Sequence, residues 1–193
     1  MQNYQLVLAS TSPFRQQLLA KLQIPFTTAT PDCDETPLVG ESPEQLVLRL
    51  AEAKARSCQV TGNSLVIGSD QVCVIDGRIV GKPHTRDKAI EQLLSQSGQA
   101  ITFYTGLALY NRSTDKAQVV LDTFTVHFRK LTPQMVSRYV DQEQPLHCAG
   151  SFKSEGLGIA LFERLEGDDP NSLVGLPLIR LIRLLENEQF AVL

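Results

Sequence analysis

The chain has no run approaching the ~18 to 20 apolar residues of a membrane span and no charged segment ahead of the short apolar run near its start, so neither a span nor a secretory leader is expected. It also lacks a basic excess. Eighteen Lys and Arg stand against 21 Asp and Glu, for a net charge of −3 and a pI near 5.6, which argues against a general nucleic-acid or anionic-membrane surface. Any basic site has to be local. The four cysteines, Cys33, Cys58, Cys73 and Cys148, are far apart, form no CxxC and have no histidine at zinc-ligand spacing beyond the adjacent His147. Free thiols in a reducing, cytoplasmic setting follow as the expectation. No GxGxxG follows a strand-like segment, which removes a Rossmann dehydrogenase. Repeats, low-complexity tracts and long linkers are absent too. With 193 residues, 42% of them hydrophobic, the expectation is one domain over 1–193 with a substantial core and room for two lobes.

What is present is an alternation of strand-like and helix-like segments. Residues 4–9 form an apolar run, and 13–24 carry Leu18, Leu19 and Leu22 on one helical face. The spacing predicts further helices over 43–58, 87–96, 132–140 and 178–188. Two long strands, "ITFYTGLALY" and "AQVVLDTFTVHF", flank the polar turn "NRSTDK", and "GIALFERLEG" reads as a strand with a turn. In "GSDQVCVIDGRIVGKP" the Asp76-Gly77 pair marks a tight hairpin turn. The fold class expected is α/β, a mixed sheet flanked by helices.

Three basic residues and a set of carboxylates stand out against this frame. In "ASTSPFRQQLLAKL" a buried strand leads into Ser10, Ser12 and Pro13, with Ser12 placed as an N-cap and Pro13 as the first helical residue. Hydroxyls from Ser10 and Ser12, open backbone N–H groups and the Arg15 guanidinium suit a phosphate; the same residues also suit capping alone, and the glycines of a P-loop are missing. Lys54 lies at the margin of a stripe made by Leu46, Leu50 and Ala53. It either snorkels outward or joins Arg15 and Lys82 as one of three cations for a triphosphate. "PDCDETP" offers Asp32, Asp34 and Glu35, and Asp70 follows an apolar strand where that strand reaches a sheet edge or a bulge. Asp32 and Asp34 are expected to do turn chemistry. Glu35 and Asp70 are expected to share Mg²⁺ or Mn²⁺ with substrate phosphates, since oxygen ligands without Cys/His clustering favour such hard cations.

"LASTSPFR", "DET", "LAEAKA", "GSDQV", "GKP", "TG", "AGSFKSEG" and "LVGLPL" occur in an order and spacing that resembles the Maf family of nucleoside triphosphate pyrophosphatases over nearly the whole chain. The resemblance implies an elongated mixed sheet, two lobes around a nucleotide cleft, a homodimer, and divalent-metal-dependent hydrolysis of a small-molecule nucleotide to its monophosphate and pyrophosphate. It implies Asp70 as proton acceptor, and Ser10, Arg15, Glu35, Lys54 and Lys82 as phosphate- and metal-handling positions. Phe14, Gln71 and Glu155 depart from the common family pattern of Arg, Thr and Gln, and "QPLH" replaces Glu-Pro-x-Asp. In these departures the chain resembles the subfamily that hydrolyses 7-methyl-GTP. For each of the three a plainer role is open: Phe14 packing, Gln71 pairing with backbone, Glu155 as a surface residue. The alternative function is a nucleotide-binding regulator of septum formation without turnover, against which intact Glu35, Lys54 and Asp70 speak.

Overall fold

The computed structural model describes residues 4–193. Its strands are β1 (Gln5–Ala9), β2 (Thr27–Ala29), β3 (Ser64–Ile75), β4 (Arg78–Val80), β5 (Ala100–Asn111), β6 (Lys116–Phe128) and β7 (Phe162–Glu166). Its helices are α1 (Pro13–Ala20), α2 (Pro43–Ser57), α3 (Arg86–Ser95), α4 (Pro133–Glu143), α5 (Asn171–Val174) and α6 (Leu178–Asn187). The strand order is β2-β1-β3-β5-β6-β7, with β4 pairing to β3. β1 is parallel to β2 and β3, whereas β3–β4 and β6–β7 are antiparallel, so the expected mixed α/β architecture is present. Two compact units divide the chain. One comprises Met1–Gln71, Thr105–Asp122 and Asp169–Leu193; the other comprises Val72–Tyr104 and Thr123–Asp168.

In the first unit, β3 alternates its two faces with a period of two. Leu65 and Ile67 join a core with Leu6, Leu8, Leu18, Leu19 and the apolar stripe of α6, while Val66 joins Val7, Ala51, Ala55 and Ala108 on the side of α2. Ser42 and Gln45 close a reciprocal capping box that starts α2, with Pro43 in its first turn. That helix lies unusually close to the strands. A Cβ at Gly68 would stand 2.0 Å from the Ala51 carbonyl oxygen, and one at Gly106 would stand 2.1 Å from that of Val47. Only glycine at these two positions lets helix backbone and strand backbone touch. The buried stripe of α2 runs through Leu46, Val47, Leu50, Ala51, Lys54 and Ala55, so Lys54 sits in the stripe and Ala53 at its border, the reverse of the expected placement.

The second unit is built on aromatic packing. Phe152 meets Phe103, Phe128 and Phe162 edge to face, with centroids 5.0 to 5.5 Å apart, the geometry that the ring quadrupole favours. Asp76 (φ 48°) and Gly77 (φ 74°) make the β3–β4 turn with both residues left-handed, as the sequence predicts. Other boundaries differ. The helix from Pro13 ends at Ala20 rather than running to 24, and "GIALFERLEG" begins as a 3₁₀ turn over Leu157–Leu161. β2 and α5 are three and four residues long, too short for periodicity to reveal. Among the described residues no helix is long and apolar enough to cross a membrane.

Because the added methyl would meet backbone rather than a movable side chain, Gly106→Ala should destabilise the protein by about 3 kcal/mol, the upper range for overpacking. Urea unfolding checks this. A midpoint indistinguishable from that of the parent would mean that α2 does not depend on this close approach.

Candidate active site

Gly68 and Asp70 share the face of β3 that looks toward α2, and this alternation places Asp70. The paired register with β1 ends at Ile67 and that with β4 begins at Cys73, so Asp70 falls between two sets of partners in the interior of a twelve-residue strand and not at its end. It is only 8% exposed. Its Oδ1 accepts from the Nζ of Lys54 at 2.7 Å, and the same ammonium lies 2.8 Å from Oε2 of Glu35. Lys54 is 7% exposed, whereas the Glu35 side chain is 58% exposed. One buried ammonium thus gathers a buried carboxylate and an open one. Neither outward snorkelling nor a free cation describes it.

The Glu35 loop is itself held. Arg49 grips the Glu41 carboxylate with two bonds of 2.6 and 2.8 Å and donates a third to the carbonyl of Thr36, the residue after Glu35. This fork holds the Glu41 carboxyl down at about 2, against the opposing cost of desolvation. Asp34 accepts from the Thr36 N–H at 2.9 Å, and Asp32 is exposed; both fit the turn chemistry expected of them. Sequence reading missed Arg49. The usable signal was a carboxylate just before the N-cap of α2 and a guanidinium two turns into that helix.

At the other end of the site, Ser12 caps α1 by accepting from the Arg15 N–H, and Ser10 Oγ accepts from the Ser12 N–H at 3.1 Å. Capping therefore occurs, and it leaves the Ser10 hydroxyl proton uncommitted. Phe14 is half-buried in the first turn. Arg15 Nε donates to the Gly175 carbonyl at 2.9 Å. Burial draws its guanidinium below the ordinary value, while Asp70 and Glu35 pull the other way, so this cation is in electrostatic reach of both carboxylates. The opposite face of β3 meets α5. Ser69 Oγ also reaches the Gly175 carbonyl, and Gln71 Nε2 donates to Ser172 O at 2.6 Å and Thr105 Oγ1 at 2.9 Å. A carbonyl at this distance fixes which end of the amide is nitrogen, so Gln71 does pair with backbone and turns its Oε1 away from these partners. Behind it, the buried Asp122 holds Ser172 Oγ at 2.9 Å and Arg180 at 3.0 Å, a support that sequence reading missed.

The remaining expected residues belong to the second unit. Lys82 is exposed on a loop fixed on either side, by Gln92 on the Gly81 carbonyl and by the His84 N–H on the Leu146 carbonyl. Glu155 is exposed too, and among the described residues its Oε2 meets only Ser154 Oγ, at 3.4 Å. Burial and then Glu155 push the Cys148 thiol up, with Glu143 adding to this, while Lys153 and Lys82 oppose. All four cysteines are free. No group of three or more His, Cys, Asp or Glu side chains suited to a metal is assembled among the described residues. Glu35 and Asp70 offer the hard oxygen donors that a cation of the Mg²⁺ type takes, one or two protein carboxylates with phosphate and water completing its shell, although the Lys54 ammonium bridges the two here.

The Maf-like protein family matches residues 5–188 of the chain. A 7-methyl-GTP pyrophosphatase from Vibrio cholerae is 76% identical over the full length of both chains; proteins of the same name from Vibrio vulnificus and Vibrio parahaemolyticus are 70% and 65% identical, also over both full lengths. Among solved structures, the Staphylococcus aureus Ham1 protein superposes with a TM-score of 0.50 at 17% identity, covering 95% of this chain and 99% of that one, a likeness of fold.

The Arg49–Glu41 fork carries a pH signature. Its carboxyl titrates lower in the folded chain than the ordinary 4.5, so its contribution is complete above about pH 4.5 and is lost as pH falls toward about 2. The stability advantage of the parent over Glu41→Gln, read from urea midpoints, should therefore be constant down to about pH 4.5 and vanish near pH 2. An advantage independent of pH would show that the fork does not hold this loop.

Proposed function

The chain belongs to the Maf family, and we propose that it hydrolyses 7-methyl-GTP to 7-methyl-GMP and pyrophosphate. The observation that carries this reading is the convergence of Asp70 and Glu35 on one buried ammonium, in a chain with full-length relatives bearing that activity in their names. Water attacks the α-phosphorus, the bond to the bridging oxygen breaks, and pyrophosphate leaves with the bonding pair. Asp70 takes the proton of the attacking water. Lys54 keeps Asp70 and Glu35 gathered on the same side of the site. Arg15, Lys54 and Lys82 offset triphosphate charge, and the Ser10 and Ser12 hydroxyls, with the N-terminus of α1, orient it. A divalent cation held by Glu35 and Asp70 would supply further neutralisation of the phosphates.

Base choice is proposed to rest on Phe14, Gln71 and Glu155. Methylation at N7 gives guanine a delocalised positive charge, which an aromatic face attracts by about 0.5 to 2 kcal/mol. Phe14 supplies that face. The cationic base is also a stronger donor at N1–H and N2–H, and a carboxylate accepting both makes a charge-assisted pair that uracil or thymine has no means to match. Glu155 supplies the carboxylate, and the fixed Gln71 amide offers Oε1 as a further acceptor. The resemblance supports a homodimer acting on a small-molecule nucleotide; the length supports a single domain, and the acidic balance and the widely spaced thiols support a cytoplasmic setting with neither nucleic acid nor membrane as partner.

Incubation with 7-methyl-GTP, GTP, dTTP and UTP in Mg²⁺ or Mn²⁺, scoring pyrophosphate against single phosphate, tests the reading. Pyrophosphate should form fastest from 7-methyl-GTP. Its absence with every nucleotide would favour the regulator without turnover, and faster pyrimidine hydrolysis would overturn the proposed base choice. Asp70→Asn should retain nucleotide binding while lowering kcat roughly 10²-fold or more. Near-parental turnover in that variant would remove Asp70 from the role of base.

A further inference from the structure

The segment that carries Glu155 is short, partly exposed and tied at both ends to α4. Tyr139 Oη accepts from the Lys153 N–H at 2.9 Å. One turn further along the helix, Glu143 makes two contacts with different parts of the same segment. Its backbone carbonyl accepts from Lys153 Nζ at 2.6 Å, and its side-chain Oε1 accepts from the Leu157 N–H at 3.1 Å. Between these anchors, Gly156 lies so near that an added Cβ would stand 2.9 Å from Glu143 Oε2.

Glu143 is poorly placed for the helix itself. It is the last residue of α4, where the negative end of the helix dipole disfavours a carboxylate, and no basic residue of the last turn offsets it. The groups that compensate it come from the segment around Glu155, namely the Leu157 N–H and the Lys153 ammonium 3.9 Å from Oε2. These are also the donors flanking Glu155 that would otherwise draw its carboxylate back onto the protein. With Glu143 occupying them, Glu155 contacts, among the described residues, only the weak Ser154 hydroxyl and stays open to a ligand.

We infer that Glu143 is a positioning residue for substrate choice, closing the Lys153–Leu157 backbone from α4 and occupying the donors beside Glu155 so that Glu155 is presented to the base. This rests on the proposed role of Glu155 in reading 7-methylguanine. Glu143 itself touches no substrate. Its effect therefore belongs in KM and in discrimination, and hardly in the chemical step.

The test compares kcat and KM for 7-methyl-GTP and GTP in the parent, Glu143→Ala, Glu143→Gln, Glu155→Gln and the double variant Glu143→Ala/Glu155→Gln. Losing a charge-assisted anchor should raise the KM of Glu143→Ala for 7-methyl-GTP about tenfold, with GTP and both kcat values moving less than about threefold. Glu143→Gln, whose amide oxygen still accepts from Leu157, should stay within about threefold of the parent. The double variant should discriminate no worse than Glu155→Gln alone, because one residue acts through the other. If Glu143→Ala folds poorly, Glu143→Asp, one methylene short of the Leu157 N–H, should show the same loss of discrimination at parental thermal stability. Equal effects on both nucleotides, or a full additional loss in the double variant, would overturn the positioning role. Should Glu155→Gln shift the preference while Glu143→Ala does not, the inference alone fails. Should Glu155→Gln leave the preference untouched, the base-reading role of Glu155 falls, and the inference with it.

Discussion

A single ammonium organises the first unit. Burying Lys54 without partners would cost several kcal/mol, and the fold meets that cost with Asp70 from β3 and Glu35 from the loop before α2. Reaching Asp70 requires α2 to lie almost in backbone contact with the strands, which in turn requires glycine at 68 and 106. The capping box at Ser42 sets where α2 begins, and so where Lys54 falls along it. These features follow in sequence from one electrostatic demand. Arg15 is in electrostatic reach of the same carboxylates, so the charge balance of the whole cluster is shared.

A second device recurs in both units. An exposed carboxylate expected to meet a ligand sits on a loop whose neighbouring residue is clamped by a charged side chain from a helix. Arg49 of α2 holds Thr36 beside Glu35, and Glu143 of α4 holds Leu157 two residues beyond Glu155. In each case the clamping side chain also reaches backbone close to the presented carboxylate rather than the carboxylate itself. Fixing the loop in advance lowers the entropy lost when a ligand binds, which is where a flexible loop would lose affinity. Gln71 is treated the same way from the other direction, since its amide nitrogen is consumed by α5 and Thr105.

The long elements and the residue types of the site were legible because they rest on local signals. Periodicity, the cap at Ser12 and the Asp-Gly turn depend on near neighbours in the chain. Lys54 was misread in its place on the helix because a stripe drawn through Ala53 is as good on hydrophobicity as the true one through Ala51 and Ala55; the two glycines that decide between them lie on other elements. Asp70 read as lying at the sheet's edge or a bulge because a bare carboxylate needs a partner, and that partner, Lys54, comes from a helix sixteen residues away. Arg49, Asp122 and Glu143 were invisible for the same reason. Their partners are loop backbone or distant side chains, and a charged residue on a helix or strand reads as a solvated face until its partner is known.

A double-mutant cycle on Lys54→Met and Asp70→Asn, read as unfolding free energy, tests the central interaction most directly. Lys54→Met strands the buried Asp70 carboxylate and should cost about 3 kcal/mol or more, whereas Asp70→Asn leaves the ammonium with Glu35. The double variant should recover part of that, giving a coupling energy of about 1 to 3 kcal/mol. Additivity within about 0.5 kcal/mol would contradict the account, because it would mean that Lys54 and Asp70 are neighbours whose attraction neither the fold nor the site depends on.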